Sequence, residues 1–189
     1  GGIQESTVDM KRQWTQFHGR NTIAEKLHGL AIATPGVSCK LATLDQYESV
    51  GLIHPENPDP LFCAIVCSTT GNGDAPKGAE RFVRFIKKRT HPNNLFTPER
   101  CSFAVLAWGD TNYDKFCAVG KTIDARMKQV GAHQVLPLVC ADEVLGLDSF
   151  VEPWIAQCLH HVTMSSTPPT TVEQQPSKAM TTTTPTKND

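Results

Sequence analysis

Two apolar runs of the same design constrain this chain more than any other feature. Leu61-Phe62-Cys63-Ala64-Ile65-Val66 leads directly into Cys67-Ser68-Thr69-Thr70-Gly71-Asn72-Gly73-Asp74-Ala75-Pro76. Phe103-Ala104-Val105-Leu106-Ala107-Trp108 ends in Gly109-Asp110-Thr111-Asn112-Tyr113. An unbroken apolar run bounded by small polar residues is the pattern of a strand buried on both faces. Each loop feeds a stretch with helical spacing. Strand, loop and helix in alternation imply right-handed crossovers and a parallel sheet. Neighbouring loops at the carboxyl ends of such strands form a crevice, which is where open α/β sheets bind ligands.

The rest of the chain fits this alternation. Thr22-Ile23-Ala24-Glu25 reads as a capping box with Thr22 at the N-cap, and Ile23, Leu27, Leu30 and Ala31 continue at helical spacing. A short strand is expected over residues 37–41, and residues 44–60 read as irregular. Residues 78–89 make an amphipathic helix with Ala79, Phe82, Val83 and Ile86 inward. Its basic residues, Arg81, Arg84, Lys87, Lys88 and Arg89, face mostly outward. Such a face is ordinarily solvated, and docking is the alternative. Phe116, Val119, Ile123, Met127 and Val130 mark another helix, closed by Gly131 at C′. Residues 134–140 read as the last strand. Residues 149–160 read as the last helix, with Pro153 in its first turn and Trp154 inward. The simplest architecture is a flavodoxin-like doubly wound parallel sheet of five strands in the order 2-1-3-4-5.

Bulk properties narrow the function classes. The formal net charge of the 189 residues is −1, so no global field recruits nucleic acid or a membrane surface. No apolar run approaches the ~20 residues that span a bilayer. The seven cysteines are odd in number and scattered, which suits buried thiols in a reducing, cytoplasmic setting better than a disulfide framework. The domain is expected over residues 1–162, as a monomer. Residues 163–189, rich in Thr, Ser and Pro, are expected to be a disordered tail or a linker.

The two loops carry the chemistry. Glycines at 71 and 73 allow positive φ and close approach of backbone groups to a ligand. Tyr113, read alone, is a half-exposed loop residue; its place just past a Gly-Asp strand end makes it a candidate to stack on a flat ring. Asp142 and Glu143 fall on the same rim, solvated by default and otherwise shaping its electrostatics. No nucleophile–base set, paired-carboxylate site or metal-ligand cluster stands out, so any chemistry belongs to a cofactor. Flavin mononucleotide (FMN) is the candidate.

Together these residues resemble the FMN-binding domain of the diflavin reductases, with methionine synthase reductase the nearest look. The resemblance runs through residues 68–74, through Gly109-Asp110-Thr111-Asn112-Tyr113 with Phe116-Cys117, and through Gly120-Lys121-Thr122-Ile123-Asp124. It continues through Gly131-Ala132, Ala141-Asp142, Gly146-Leu147 and Val151-Glu152-Pro153-Trp154-Ile155, covering about residues 61–158. It implies an FMN carrier passing single electrons from an FAD/NADPH module, absent from this chain, to a haem, cobalamin or iron–sulfur protein. It also implies that Thr69, Thr70, Gly71, Asn72, Gly73 and Asp74 cradle the ring edge, with Thr70 and its loop over one face. Tyr113 would cover the other face, beside Phe116. Gly109, Asp110 and Asn112 would shape the second loop, and Asp142 and Glu143 would flank the ring.

The family's first strand and its Ser/Thr-rich phosphate loop have an unusual counterpart here. Thr15-Gln16-Phe17-His18-Gly19-Arg20-Asn21-Thr22 puts Phe17 where a threonine is expected and His18 where a glycine is expected. Residues 8–14 are too polar for an interior strand. Residues 1–21 are therefore read as a degenerate or missing first strand and phosphate loop. Either the N-terminus is not the native one, or Thr15, Gln16, Gly19, Arg20 and Thr22 hold the phosphate differently, with help from the following helix. Two other functions stay open. One is a flavin-free interaction module on the same fold; the other is the flavodoxin domain of a radical-based tRNA-modifying enzyme.

Overall fold

The structure is a computed structural model and describes residues 22–53 and 60–164. Its elements are α1 (Thr22–Ile32), a 3-10 turn (Leu44–Gln46), β1 (Leu61–Ser68), α2 (Glu80–Ile86), β2 (Cys101–Gly109), α3 (Ala118–Gln129), β3 (His133–Gln134), β4 (Val139–Asp142) and α4 (Asp148–Met164). All strand pairs are parallel. β1 and β2 pair along their length, from Leu61 opposite Cys101 to Ser68 opposite Trp108. β3 and β4 both pair with β2, at Ser102–Phe103 and at Leu106–Gly109 respectively.

The strands sit inside two helical layers, and side-chain alternation sorts them. Cys63, Ile65, Phe103 and Val105 point to one face, where they pack with Phe82 and Ile86 of α2 and with Ile123 and Met127 of α3. Phe62, Ala64, Val66, Ala104 and Leu106 point to the other, against Leu27 and Ala31 of α1 and Trp154 and Ile155 of α4. Both strands are buried on both sides, which is why their sequences are apolar throughout rather than alternating.

Several expectations are corrected. Residues 37–41 form no strand. In the expected order this strand pairs only with strand 1, whose residues lie outside the described ones. The single last strand is two short pieces: the Val135 N–H still donates to the Phe103 carbonyl at 2.9 Å, but residues 136–138, around Pro137 with no N–H to donate, leave the ladder. The described sheet thus fills the last three of the five expected positions. The helix at 78–89 is shorter, Glu80–Ile86, and the next begins at Ala118. α4 starts one residue early, at Asp148, so Pro153 lies in its second turn and removes the bond to the Ser149 carbonyl. α3 closes as expected: Gly131 has φ 97°, its N–H donates to the Lys128 carbonyl at 3.2 Å, and the Ala132 N–H donates to the Met127 carbonyl at 3.0 Å. α1 begins at Thr22, whose side chain, like residues 1–21 and the tail from 165, falls outside the described residues.

All seven cysteines are free thiols, five of them buried. No helix among the described residues is long and apolar enough to cross a membrane.

Candidate functional site

A crevice of about 860 Å³ opens where β1 and β2 end. That is the size range of a small-molecule or cofactor site. Its two walls are the loops singled out above.

The first wall closes on itself. The Thr70 N–H donates to the Asp74 carbonyl at 3.0 Å, and the Asp74 N–H donates back to the Thr70 carbonyl at 2.8 Å. The Thr70 hydroxyl adds a third bond to the Asp74 carbonyl at 3.1 Å. This single antiparallel bridge makes a tight loop rather than a hairpin, since no strands flank it. Gly71 and Gly73 turn it with φ of 49° and 101°, values that cost a side-chain-bearing residue roughly 1–2 kcal/mol.

The second wall is held from outside. The Asp142 carboxylate accepts from the Thr111 hydroxyl at 2.7 Å, from the Thr111 N–H at 3.3 Å and from the Val144 N–H at 3.1 Å. The Thr111 hydroxyl, followed by the two backbone donors, holds this carboxyl below its usual 3.8, against the opposing effect of burial. Asp110 accepts from the Asn112 N–H at 2.7 Å, an Asx turn that sets the loop's path. The Glu143 N–H donates to the Gly109 carbonyl at 2.9 Å, and the Glu143 carboxylate accepts from the Trp108 indole. A side chain at Gly109 would be tight, its Cβ 3.1 Å from the Phe116 ring, which would have to give by a few tenths of an ångström.

Helix α3 ties the walls together. Its first turn has no cap of its own, since the N-cap residue, Cys117, sits in the left-handed region at φ 55° with no side-chain hydrogen bond to the helix. The Val119 N–H instead donates to the Thr69 hydroxyl of the opposite wall at 3.1 Å. The helix can come this near because Gly120 lies on Ala107: a Cβ at Gly120 would be 2.3 Å from the Ala107 Cβ and 3.2 Å from the Cys67 Sγ. Burial, with the neighbouring Cys140 thiol next in weight, pushes Cys117 up to about 12. Burial likewise takes Cys67 to about 12. Cys117, which lines the crevice, is therefore a neutral thiol.

Of the residues expected in the site, Thr69, Thr70, Gly71, Gly109, Asp110, Tyr113, Phe116 and Glu143 line the crevice. Tyr113 stands on the wall with 67% of its surface exposed, an aromatic ring largely free of protein packing. Asn72, Asn112 and Asp142 do not line it. Asn112 is used through its backbone and Asp142 is buried beneath the rim, so both shape the wall rather than face the space. Gly73 and Asp74 face a neighbouring groove instead, because the Thr70–Asp74 bridge turns that side of the loop outward. Thr15, Gln16, Gly19 and Arg20 lie outside the described residues, as does the Thr22 side chain.

Sequence reasoning missed Ser68, Pro76, Lys77, Trp108, Lys115 and Cys117 as lining residues. Trp108 is buried yet lines the crevice. The strand register carried that signal, since Ser68 and Trp108 are partners at the end of the ladder. Among the described residues no group of three or more His, Cys, Asp or Glu side chains is placed to hold a metal ion.

The chain matches the flavodoxin family over residues 14–154. It is 38% identical to NADPH-dependent diflavin oxidoreductase 1 of Bos taurus over 121 residues, 63% of this chain and 19% of that protein. It is 36% identical to methionine synthase reductase of Bos taurus over 141 residues, 75% of this chain and again 19% of the relative. The Homo sapiens methionine synthase reductase is 35% identical over 142 residues, covering 75% of this chain and 19% of that protein. Among solved structures, the C101S mutant of flavodoxin from Pseudomonas aeruginosa superposes with a TM-score of 0.61 at 21% identity, over 82% of this chain and 99% of that one. Oxidised flavodoxin 1 from Bacillus cereus gives 0.55 at 16% identity, over 80% and 99%. At such identities the likeness shows the fold: an α/β sandwich around a parallel sheet.

Proposed function

This chain belongs to the flavodoxin family, and from that premise we propose that it is the FMN-carrying electron-transfer domain of an NADPH-dependent diflavin reductase. It spans 19% of the reductases it is similar to, so the FAD/NADPH module and the electron acceptor belong to the proposal and lie beyond this chain. FMN, when bound, supplies one-electron steps between a hydride-derived electron pair and a single-electron acceptor. A cytoplasmic location and a monomeric state complete the reading.

The residues present fit such a ring. The carrying observation is the exposed face of Tyr113 set across the crevice from a glycine turn whose shape is already closed by its own bonds. A flat heterocycle needs an apolar face to lie on and backbone donors and acceptors at its edge. Tyr113 and Phe116 offer the first; the Gly71 turn offers the second, and it needs no rearrangement to do so. The neutral Cys117 thiol on the lining adds no charge beside the ring. Glu143, pinned by Trp108, and Asp142, held ionised by Thr111, keep the second wall in place against the solvent.

The test is FMN titration of the purified protein, followed by flavin absorbance and fluorescence quenching. Wild type is expected to bind and to quench the flavin on the ring of Tyr113. Tyr113→Ala is expected to weaken binding by roughly tenfold, about 1.4 kcal/mol, the upper range of a single aromatic stacking contact. A protein that leaves FMN fluorescence untouched at all concentrations is instead a flavin-free module on this fold. Unchanged affinity and unchanged potentials in Tyr113→Ala remove the stacking role.

A further inference from the structure

A second groove of about 770 Å³ adjoins the crevice, sharing Thr70 and Lys77 with it and running along α2 as far as Lys88. It is lined by four exposed cations, Lys77, Arg84, Lys87 and Lys88, and by two acids, Asp74 and Glu80. That leaves two positive charges in excess on a chain whose net charge is −1. Arg84 stands on the last turn of α2, Lys87 and Lys88 follow at its end, and all three line the groove.

Three other cations of the fold are ion-paired. Lys26 is paired with Glu152, Lys128 with Asp124 at 2.7 Å, and Arg81 with Glu48 at 3.6 Å. Lys77, Arg84 and Lys87 have no ion-pair partner among the described residues. The far side of the crevice leans the other way: Asp110 and Glu143 line it and Asp114 lies in the same loop, with Lys115 the cation among them. Charge is thus unevenly spread across the mouth through which electrons would pass: net basic on the α2 side, net acidic on the other.

From this division we propose that the α2 groove docks an acidic surface of the protein that exchanges electrons through the crevice. The inference rests on the electron-transfer reading and names the chemistry of its partner. A small polyanion fits less well, because Asp74 and Glu80 stand among the cations. A nucleic acid fits less well, because its continuous charge would run on to the acidic side of the mouth. A protein face of mixed charge meets both sides and is set in register by them. Exposed charges of this kind raise encounter rates and fade with salt, which suits a brief electron-exchange contact.

The test uses Arg84→Glu/Lys87→Glu beside wild type, with three probes: an acidic plant-type ferredoxin, the basic protein cytochrome c, and a short DNA duplex. Binding is measured directly at low and high salt, and FMN titration is run separately. Wild type is expected to bind ferredoxin more tightly than cytochrome c, with affinity falling steeply as salt rises. The double reversal is expected to weaken ferredoxin binding by about tenfold or more and to leave FMN affinity unchanged. Failure of ferredoxin to bind, indifference to the reversal, or preference for cytochrome c overturns the proposal, and tighter binding of DNA overturns it in favour of nucleic acid. If neither protein takes FMN while ferredoxin binding still follows the reversal, the acidic docking surface stands and the electron-transfer reading falls.

Discussion

The loop after β1 is held by its own backbone: three bonds between Thr70 and Asp74 close it, and glycines at 71 and 73 supply the bends. The loop after β2 is held by residues some thirty positions further on, with Asp142 gripping Thr111 and Glu143 bonded to both Gly109 and Trp108. One wall is therefore a local object that would keep its shape on many scaffolds. The other exists only once β4 has paired with β2 and brought Asp142 beside Gly109. A site built this way has one rigid reference wall and one whose stability tracks the whole sheet, and perturbations should separate the two.

The largest separation is expected from Gly120→Ala. The added methyl would stand 2.3 Å from the Ala107 Cβ, and neither atom belongs to a flexible side chain that can move aside. Helix propensity favours alanine by up to about 1 kcal/mol, but overpacking costs typically about 1–3 kcal/mol. The overlap is severe enough that overpacking wins. Urea denaturation should show a net loss of about 2 kcal/mol, and α3 should lift from β2, carrying Phe116 and Cys117 with it. The closed turn at 70–74 should keep its amide shifts in an NMR spectrum while residues 109–119 lose theirs. Equal disturbance of both walls would mean that the first is not self-contained.

The contrast explains what was legible in the sequence. Both central strands were readable because burial on two faces leaves an unbroken apolar run, and the glycine turn was readable because its bonds lie within five residues. The roles of Asp142 and Glu143 were only half readable: topology put them on the rim, but nothing local shows that Asp142 is spent on Thr111 or that Glu143 binds Trp108. Thr69 was read as a ring contact, yet its hydroxyl serves a helix fifty residues away. Residues 37–41 alternate like a strand's, with Val37 and Cys39 turned to the core, but they are not in a strand and their expected partner lies outside the described residues.

Acid should loosen the second wall alone. Thr111 and Val144 favour the charged form of Asp142, so its folded pKa lies below the ordinary 3.8. Its contribution is present in full above that value and is lost as the pH falls through the lower, folded one. Thermal melts from pH 6 to pH 2 should therefore show a decline below pH ~4 that is shallower in Asp142→Asn, which keeps one acceptor and has no charge to lose. The turn at 70–74 has no such group, as its bonds are all to backbone carbonyls. Identical acid limbs in wild type and Asp142→Asn would show that the carboxylate is not what secures residues 109–113.

The smallest expected effect tests a bond that joins the walls through α3. Thr69→Val keeps the shape and removes the hydroxyl that accepts the Val119 N–H. Loss of a helix N-terminal acceptor costs about 0.5–2 kcal/mol. Water can reach the exposed Thr70 side of the turn and replace part of the bond, which puts the expected loss near the lower end, about 0.5–1 kcal/mol. The more telling readout is coupling. Thr69→Val and Gly120→Ala both act where α3 starts, so their combined cost should fall short of the sum: once the helix has lifted, the bond to Thr69 is already lost. Strict additivity in a double-mutant cycle would mean that Thr69 and Gly120 hold α3 independently, and that the two walls are joined by the packing of α3 on the sheet rather than by the hydroxyl.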